Sequence, residues 1–70
     1  MLPLSVAPVG EELLVRKVGG SPETKKHLEN LGFVPGSEVT VVTTMEGNII
    51  VKVKEARVAI SREMACKIMV

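Results

Sequence analysis

The chain has no tryptophan, no tyrosine and no aspartate, and it has one phenylalanine, one histidine and one cysteine in 70 residues. With Phe33 as its sole aromatic, the interior must be filled by valine, isoleucine and leucine. The same scarcity removes the stacking platforms on which small barrels hold single-stranded nucleic acid. Cys66 has no second cysteine to pair with, so a reducing compartment fits best. Nucleophilic catalysis would need a base near that thiol, and the single histidine, His27, is far away in sequence. Structural zinc wants four ligands at short spacings, and no such cluster occurs. The P-loop and dinucleotide-binding glycine patterns are also missing. No stretch approaches the ~20 apolar residues that cross a bilayer. Residues 1–8 are apolar but broken by Pro3 and Pro8, without the basic start of a signal peptide. A soluble, cytoplasmic protein is expected.

Nine basic and eight acidic residues leave a net charge of +1, short of the clear excess of a dedicated nucleic-acid binder. All eight acids are glutamates, and they fall at turns, helix ends, solvent faces or, for Glu12, a strand start. They read as solvated surface charge rather than a tuned acid–base pair. A chain of 7.5 kDa buries roughly 60% of its unfolded surface, which supports one domain, residues 1–70, and leaves no room for a deep cleft.

What the sequence does contain is punctuation. Ser21 suits an N-cap, Pro22 the first helical position and Gly32 the left-handed position past the helix end, which marks a helix over residues 21–31. Thr24, Leu28 and Leu31 form its apolar stripe. Glu23 suits the positive end of its dipole. Pro35-Gly36 then favours a tight turn. Upstream, Leu2, Leu4 and Val6 alternate like an extended lead-in, and Val9-Gly10 marks a turn. Residues 12–18 read as a first strand whose apolar residues fall on both sides, through a bulge or through burial of both faces. Residues 37–44 read as a strand with Val39, Val41 and Thr43 on one face. A hairpin at Met45-Glu46-Gly47-Asn48 leads to the clearest alternation, Ile49, Val51 and Val53. Lys54-Glu55-Ala56-Arg57 is a second tight connection, without glycine, before a short strand with Val58 and Ile60 inward. Ser61 caps a final turn of helix over residues 62–67, and Ile68-Met69-Val70 closes the sheet.

About five short antiparallel strands with one helix between the first two and a helical turn near the end define a mainly β fold. Closure removes exposed edges, so a small SH3-like barrel is expected. Cys66 reads as a small buried hydrophobe, and Met64 and Met69 as core filler. His27 and Glu23, one helical turn apart, offer at most an adventitious metal contact. Gly19-Gly20-Ser21 could hold an anion but is explained by the turn from strand to helix. Lys52, Lys54, Arg57 and Arg62 gather around one hairpin. Phe33 has two readings, a residue packing the turn or an exposed apolar anchor.

Leu4 and Gly10, Gly19-Gly20, the run Leu28-Glu29-Asn30-Leu31-Gly32-Phe33-Val34-Pro35-Gly36, Val39-Thr40-Val41, Ile50-Val51-Lys52-Val53 and Val58-Ala59-Ile60 stand in an order that resembles the ferrous iron transport protein A (FeoA) family. The likeness covers nearly the whole chain, and the run ending in Pro35-Gly36 is its most specific part. The same barrel type forms the C-terminal domain of iron-dependent repressors. The resemblance implies an SH3-like barrel without catalysis of its own. It also implies a bacterial cytoplasmic role beside the membrane ferrous iron transporter, FeoB, through the transporter's GTP-binding domain. One departure stands out: family members often carry a glycine in the hairpin where this chain has Lys54-Glu55.

The expected function is therefore a non-enzymatic accessory to ferrous iron transport. Its contact surface is expected at Lys25, Lys26 and His27 on the helix and Phe33, Val34 and Pro35 at the turn. No intrinsic cofactor is expected; ferrous iron is the ion in question, and no ligand cluster supports a site for it. Two alternatives stay open. One is a stand-alone barrel acting with an iron-dependent repressor. The other is a nucleic-acid-binding barrel using Lys52, Lys54, Arg57 and Arg62.

Overall fold

The computed structural model describes residues 1–70. Helix α1 (Pro22–Leu31) starts at Ser21, whose Oγ accepts from the Thr24 N–H at 3.3 Å. It ends at Gly32, with φ 107°. The Gly32 N–H donates to the Glu29 carbonyl at 2.9 Å and the Phe33 N–H to the Leu28 carbonyl at 3.0 Å. This pair of bonds is a Schellman motif, which satisfies the last carbonyls and turns the chain back on itself. Leu28 is fully buried, and Thr24 and Leu31 flank it half-buried, as the stripe requires.

Six strands follow the expected order, one more than the approximate count from sequence. They are β1 (Glu12–Leu14), β2 (Lys17–Val18), β3 (Glu38–Met45), β4 (Asn48–Val53), β5 (Ala56–Ser61) and β6 (Ile68–Met69). A four-stranded antiparallel sheet runs β1-β3-β4-β5, and β2 pairs with β6 separately. Helix α2 (Arg62–Ala65) joins β5 to β6. It is shorter than expected and is capped by Ser61, whose Oγ accepts from the Met64 N–H at 3.2 Å. The fold is mainly β, a small SH3-like barrel.

Four expectations are corrected. Residues 12–18 are two strands in two sheets rather than one. Val15 exchanges backbone bonds with the turn, its N–H to Ser37 and its carbonyl from Gly36, and the next N–H, Arg16, donates to Met69. The chain thus switches sheets at Val15-Arg16, which accounts for the mixed faces. At the start, Leu4–Val6 form a 3-10 helix, so Leu4 is buried while Leu2 and Val6 are exposed. In β3 the register with β4 shifts between Val41 and Thr43. That bulge sends Thr43 outward, whereas Val39 and Val41 stay in the core. Finally, Cys66 is exposed, with its Sγ 3.2 Å from Ser5 Oγ.

Fifteen apolar residues form a single core cluster, with Phe33, Leu28, Ile49, Val51 and Val41 fully enclosed. No polar or charged side chain is buried. The interior holds nothing that ionises, so any chemistry belongs to the outside.

Candidate docking surface

Every lysine, arginine and glutamate, together with His27 and Cys66, is exposed. A single shallow groove of about 110 Å³, lined by Glu12, Glu38, Thr40, Lys52 and Lys54, marks the outer face of the main sheet. It has no apolar lining, whereas ligand pockets are larger and mostly apolar. No three His, Cys or Glu side chains converge as metal ligands.

The expected contact residues separate into two groups. Lys25, Lys26 and His27 are consecutive exposed residues of α1, which the Ser21 cap and the buried Leu28 hold in place. Three consecutive residues span most of a turn, so they spread around the solvent side and do not converge on one point. Pro35 is exposed and Val34 half-buried in a tight turn whose Ser37 N–H donates to the Val34 carbonyl at 3.0 Å, with Gly36 at φ 93°. Proline at the second position and positive-φ glycine at the third make this a type II turn.

Phe33 does not belong to the surface. It is 0% exposed, and the Schellman bonds place it in the core with Leu28. That motif carries an apolar contact between the residue after the left-handed glycine and the residue opening the last turn. The apolar anchor assigned to Phe33 therefore shrinks to Val34 and Pro35. The signal for the correction is in the sequence itself: Leu28 and Phe33 hold the two positions whose contact the motif requires.

Of the basic residues expected around the β4–β5 hairpin, Lys52 stands directly across from Arg57, whereas Arg62 opens α2 at the far end of β5, where its N–H donates to the Gly47 carbonyl of the β3–β4 turn. On the other side of Lys52 the row continues through Thr40 to Glu12. The cations are thus bordered by acids, and the face is mixed in charge. Sequence reasoning did not anticipate the backbone of Lys54, which adopts φ 57°, the one non-glycine residue at positive φ. Positive φ at this hairpin tip is a conformation that glycine adopts without strain and a lysine adopts at a cost. A Cβ added at Gly32 would stand 3.9 Å from Lys54 Cε, so this hairpin tip meets the end of α1.

A barrel of this size, with an apolar interior and all its charge outside, defines the class as a small SH3-like domain. The FeoA domain model matches residues 2–70. A Methanocaldococcus jannaschii protein provisionally named Fe(2+) transport protein A is 36% identical over 70 residues, spanning 100% of this chain and 85% of that protein. The crystal structure of an iron uptake regulatory protein (FeoA) superposes with a TM-score of 0.87 at 28% identity, over 96% of this chain and 89% of that one. Stenotrophomonas maltophilia FeoA, crystallised with zinc and described as a prokaryotic SH3 domain protein, gives 0.85 at 25% identity, over 99% and 88%. The chain belongs to the FeoA family.

Proposed function

We propose that this protein is a non-enzymatic accessory of ferrous iron transport that works by docking on the cytoplasmic GTP-binding domain of the membrane transporter FeoB. In this reading the protein is cytoplasmic and iron is the transporter's cargo. Membership of the FeoA family supports the transport role. The observation that carries the docking mode is the exposure of every ionisable side chain over an interior with no buried polar group. Such a molecule offers surfaces rather than a sheltered site, and catalysis needs the latter.

The contact face in this reading is α1 with the turn behind it. Lys25 and Lys26 supply positive charge that steers an acidic surface, and Val34 and Pro35 supply a small apolar contact on a rigid turn. No helix of this chain is long and apolar enough to cross a membrane.

Titration of the full chain with the transporter's soluble GTP-binding domain, with and without guanine nucleotide, tests the reading. Saturable binding that Lys25→Glu/Lys26→Glu weakens at least tenfold is expected. Absence of binding at high micromolar concentration in both nucleotide conditions overturns it.

A further inference from the structure

The main sheet has two edges, and they differ in length. On β1, three residues pair with β3 and the chain leaves at once for the other sheet. On β5, six consecutive residues pair with β4, and no strand lies on the other side. The hairpin has a two-residue turn, Lys54-Glu55, so Val53 and Ala56 form its first hydrogen-bonded pair. The alternation then gives Val51 with Val58 and Ile49 with Ile60 as the remaining bonded pairs. Arg57 and Ala59 therefore point their N–H and carbonyl groups away from β4. None of these four groups bonds elsewhere in the chain. Both residues are exposed.

An edge of this kind is a template for an added strand unless something blocks it. Here there is no proline and no bulge in the β4–β5 pairing, and Ala56, Arg57 and Ala59 stand exposed. Charge identifies the occupant. Between Asn48 and Arg62 the chain carries four cations, Lys52, Lys54, Arg57 and Arg62, and a single carboxylate, Glu55. Lys52 and Arg57 are cross-strand neighbours, and the next strand outward would stand directly beside Arg57. Opposite charges in that position stabilise the pair, and like charges oppose it. A second copy is the weaker occupant: antiparallel pairing of two β5 strands in the register centred on Arg57 sets Arg57 beside its own copy, and the register centred on Val58 sets Lys54 towards Arg62. Nucleic acid would answer the charge but has no strand ladder to offer the four free backbone groups.

We propose that the outer edge of β5 accepts an extended, acidic segment of a partner protein as a further antiparallel or parallel strand, with a carboxylate of that segment beside Arg57. Backbone bonds at Arg57 and Ala59 supply the grip, and the Lys52–Arg57 pair supplies selectivity for acid. This surface is distinct from Lys25, Lys26 and His27, and the inference stands whether or not the α1 face docks a transporter.

The test uses the full chain, labelled for amide detection, and an octapeptide alternating valine with glutamate as probe. The same peptide with lysine in place of glutamate, and a short oligothymidylate, serve as comparisons. Expected are chemical-shift changes centred on residues 56–60 with the acidic peptide at millimolar concentration. Amide exchange at Arg57 and Ala59 is expected to slow at least fivefold. Ala59→Pro removes an outward N–H that makes no bond within the chain, a change that edge strands accept. It should abolish the effect while the other amides keep their positions. Should that variant fail to fold, Arg57→Glu replaces it, and its preference should reverse to the lysine peptide. Equal response to both peptides, response to the oligonucleotide alone, or unchanged exchange at Arg57 and Ala59 would overturn the proposal.

Discussion

Two residues of this chain reach the left-handed region at adjoining places, and the chain solves the problem differently at each. At the end of α1 the residue is Gly32, φ 107°, buried. A Cβ there would come within 2.7 Å of Val53 Cγ1, closer than real contacts allow. In the neighbouring β4–β5 hairpin the residue is Lys54, φ 57°, exposed. Both residues lie at positive φ, but only the first site is packed. The comparison separates two demands that a glycine can meet: a dihedral angle, which a lysine can satisfy at a cost of about 1–2 kcal/mol, and a close approach, which it cannot. The packed site anchors the fold, and the open one lies at the exposed tip of the β4–β5 hairpin.

The largest effect should come from the residue that the packed turn delivers to the core. Phe33→Ala should cost about 3–5 kcal/mol and lower the urea midpoint accordingly, because a fully enclosed aromatic leaves a cavity. A loss under about 1 kcal/mol would mean that Phe33 is not the keystone of the turn. Gly32→Ala comes next. The backbone alone costs about 1–2 kcal/mol, and displacing Val53 adds to it. Ser21→Ala, at the opposite end of the same helix, should cost about 1 kcal/mol in thermal unfolding through the lost cap. Lys54→Gly sharpens the contrast, since it should stabilise by about 0.5 kcal/mol, the relief of strain outweighing the added chain entropy. If Lys54→Gly destabilised as much as Gly32→Ala, the distinction between the two sites would collapse. Lys25→Glu/Lys26→Glu should change stability by no more than about 0.5 kcal/mol, so any loss of docking it causes is a surface effect.

Sequence reading went furthest where side chains mark the backbone directly. The Ser21 cap, Pro22, Gly32 and the Pro35-Gly36 turn stand where residue chemistry put them, and the alternation of Ile49, Val51 and Val53 is the buried face of β4. It failed where a neighbour decides. Alternating Leu2, Leu4 and Val6 look extended, yet the chain turns into a 3-10 helix once Leu2 pairs with Val70 and Leu4 enters the core. Nothing in residues 12–18 announces that Val15 will bond to the Pro35-Gly36 turn and split the strand. The bulge that exposes Thr43 depends on pairing with Ile50, a partner seven residues on. Likewise Cys66 stays outside: it follows the last residue of α2, and only Ala65 of that helix turns fully inward. The exposed helix face was legible because its cap and stripe fix its rotation. The burial of Phe33 was legible in principle, through the spacing of Leu28, Gly32 and Phe33, but the same residue in a turn also looks like an anchor.

The most direct test of the account places the proposed partner on the molecule. Amide shifts of the full labelled chain on adding the transporter's GTP-binding domain should move at Lys25, Lys26, His27, Val34 and Gly36, while the core amides of Val41, Ile49 and Val51 hold still. Saturating partner with no movement anywhere on the α1 face would contradict it.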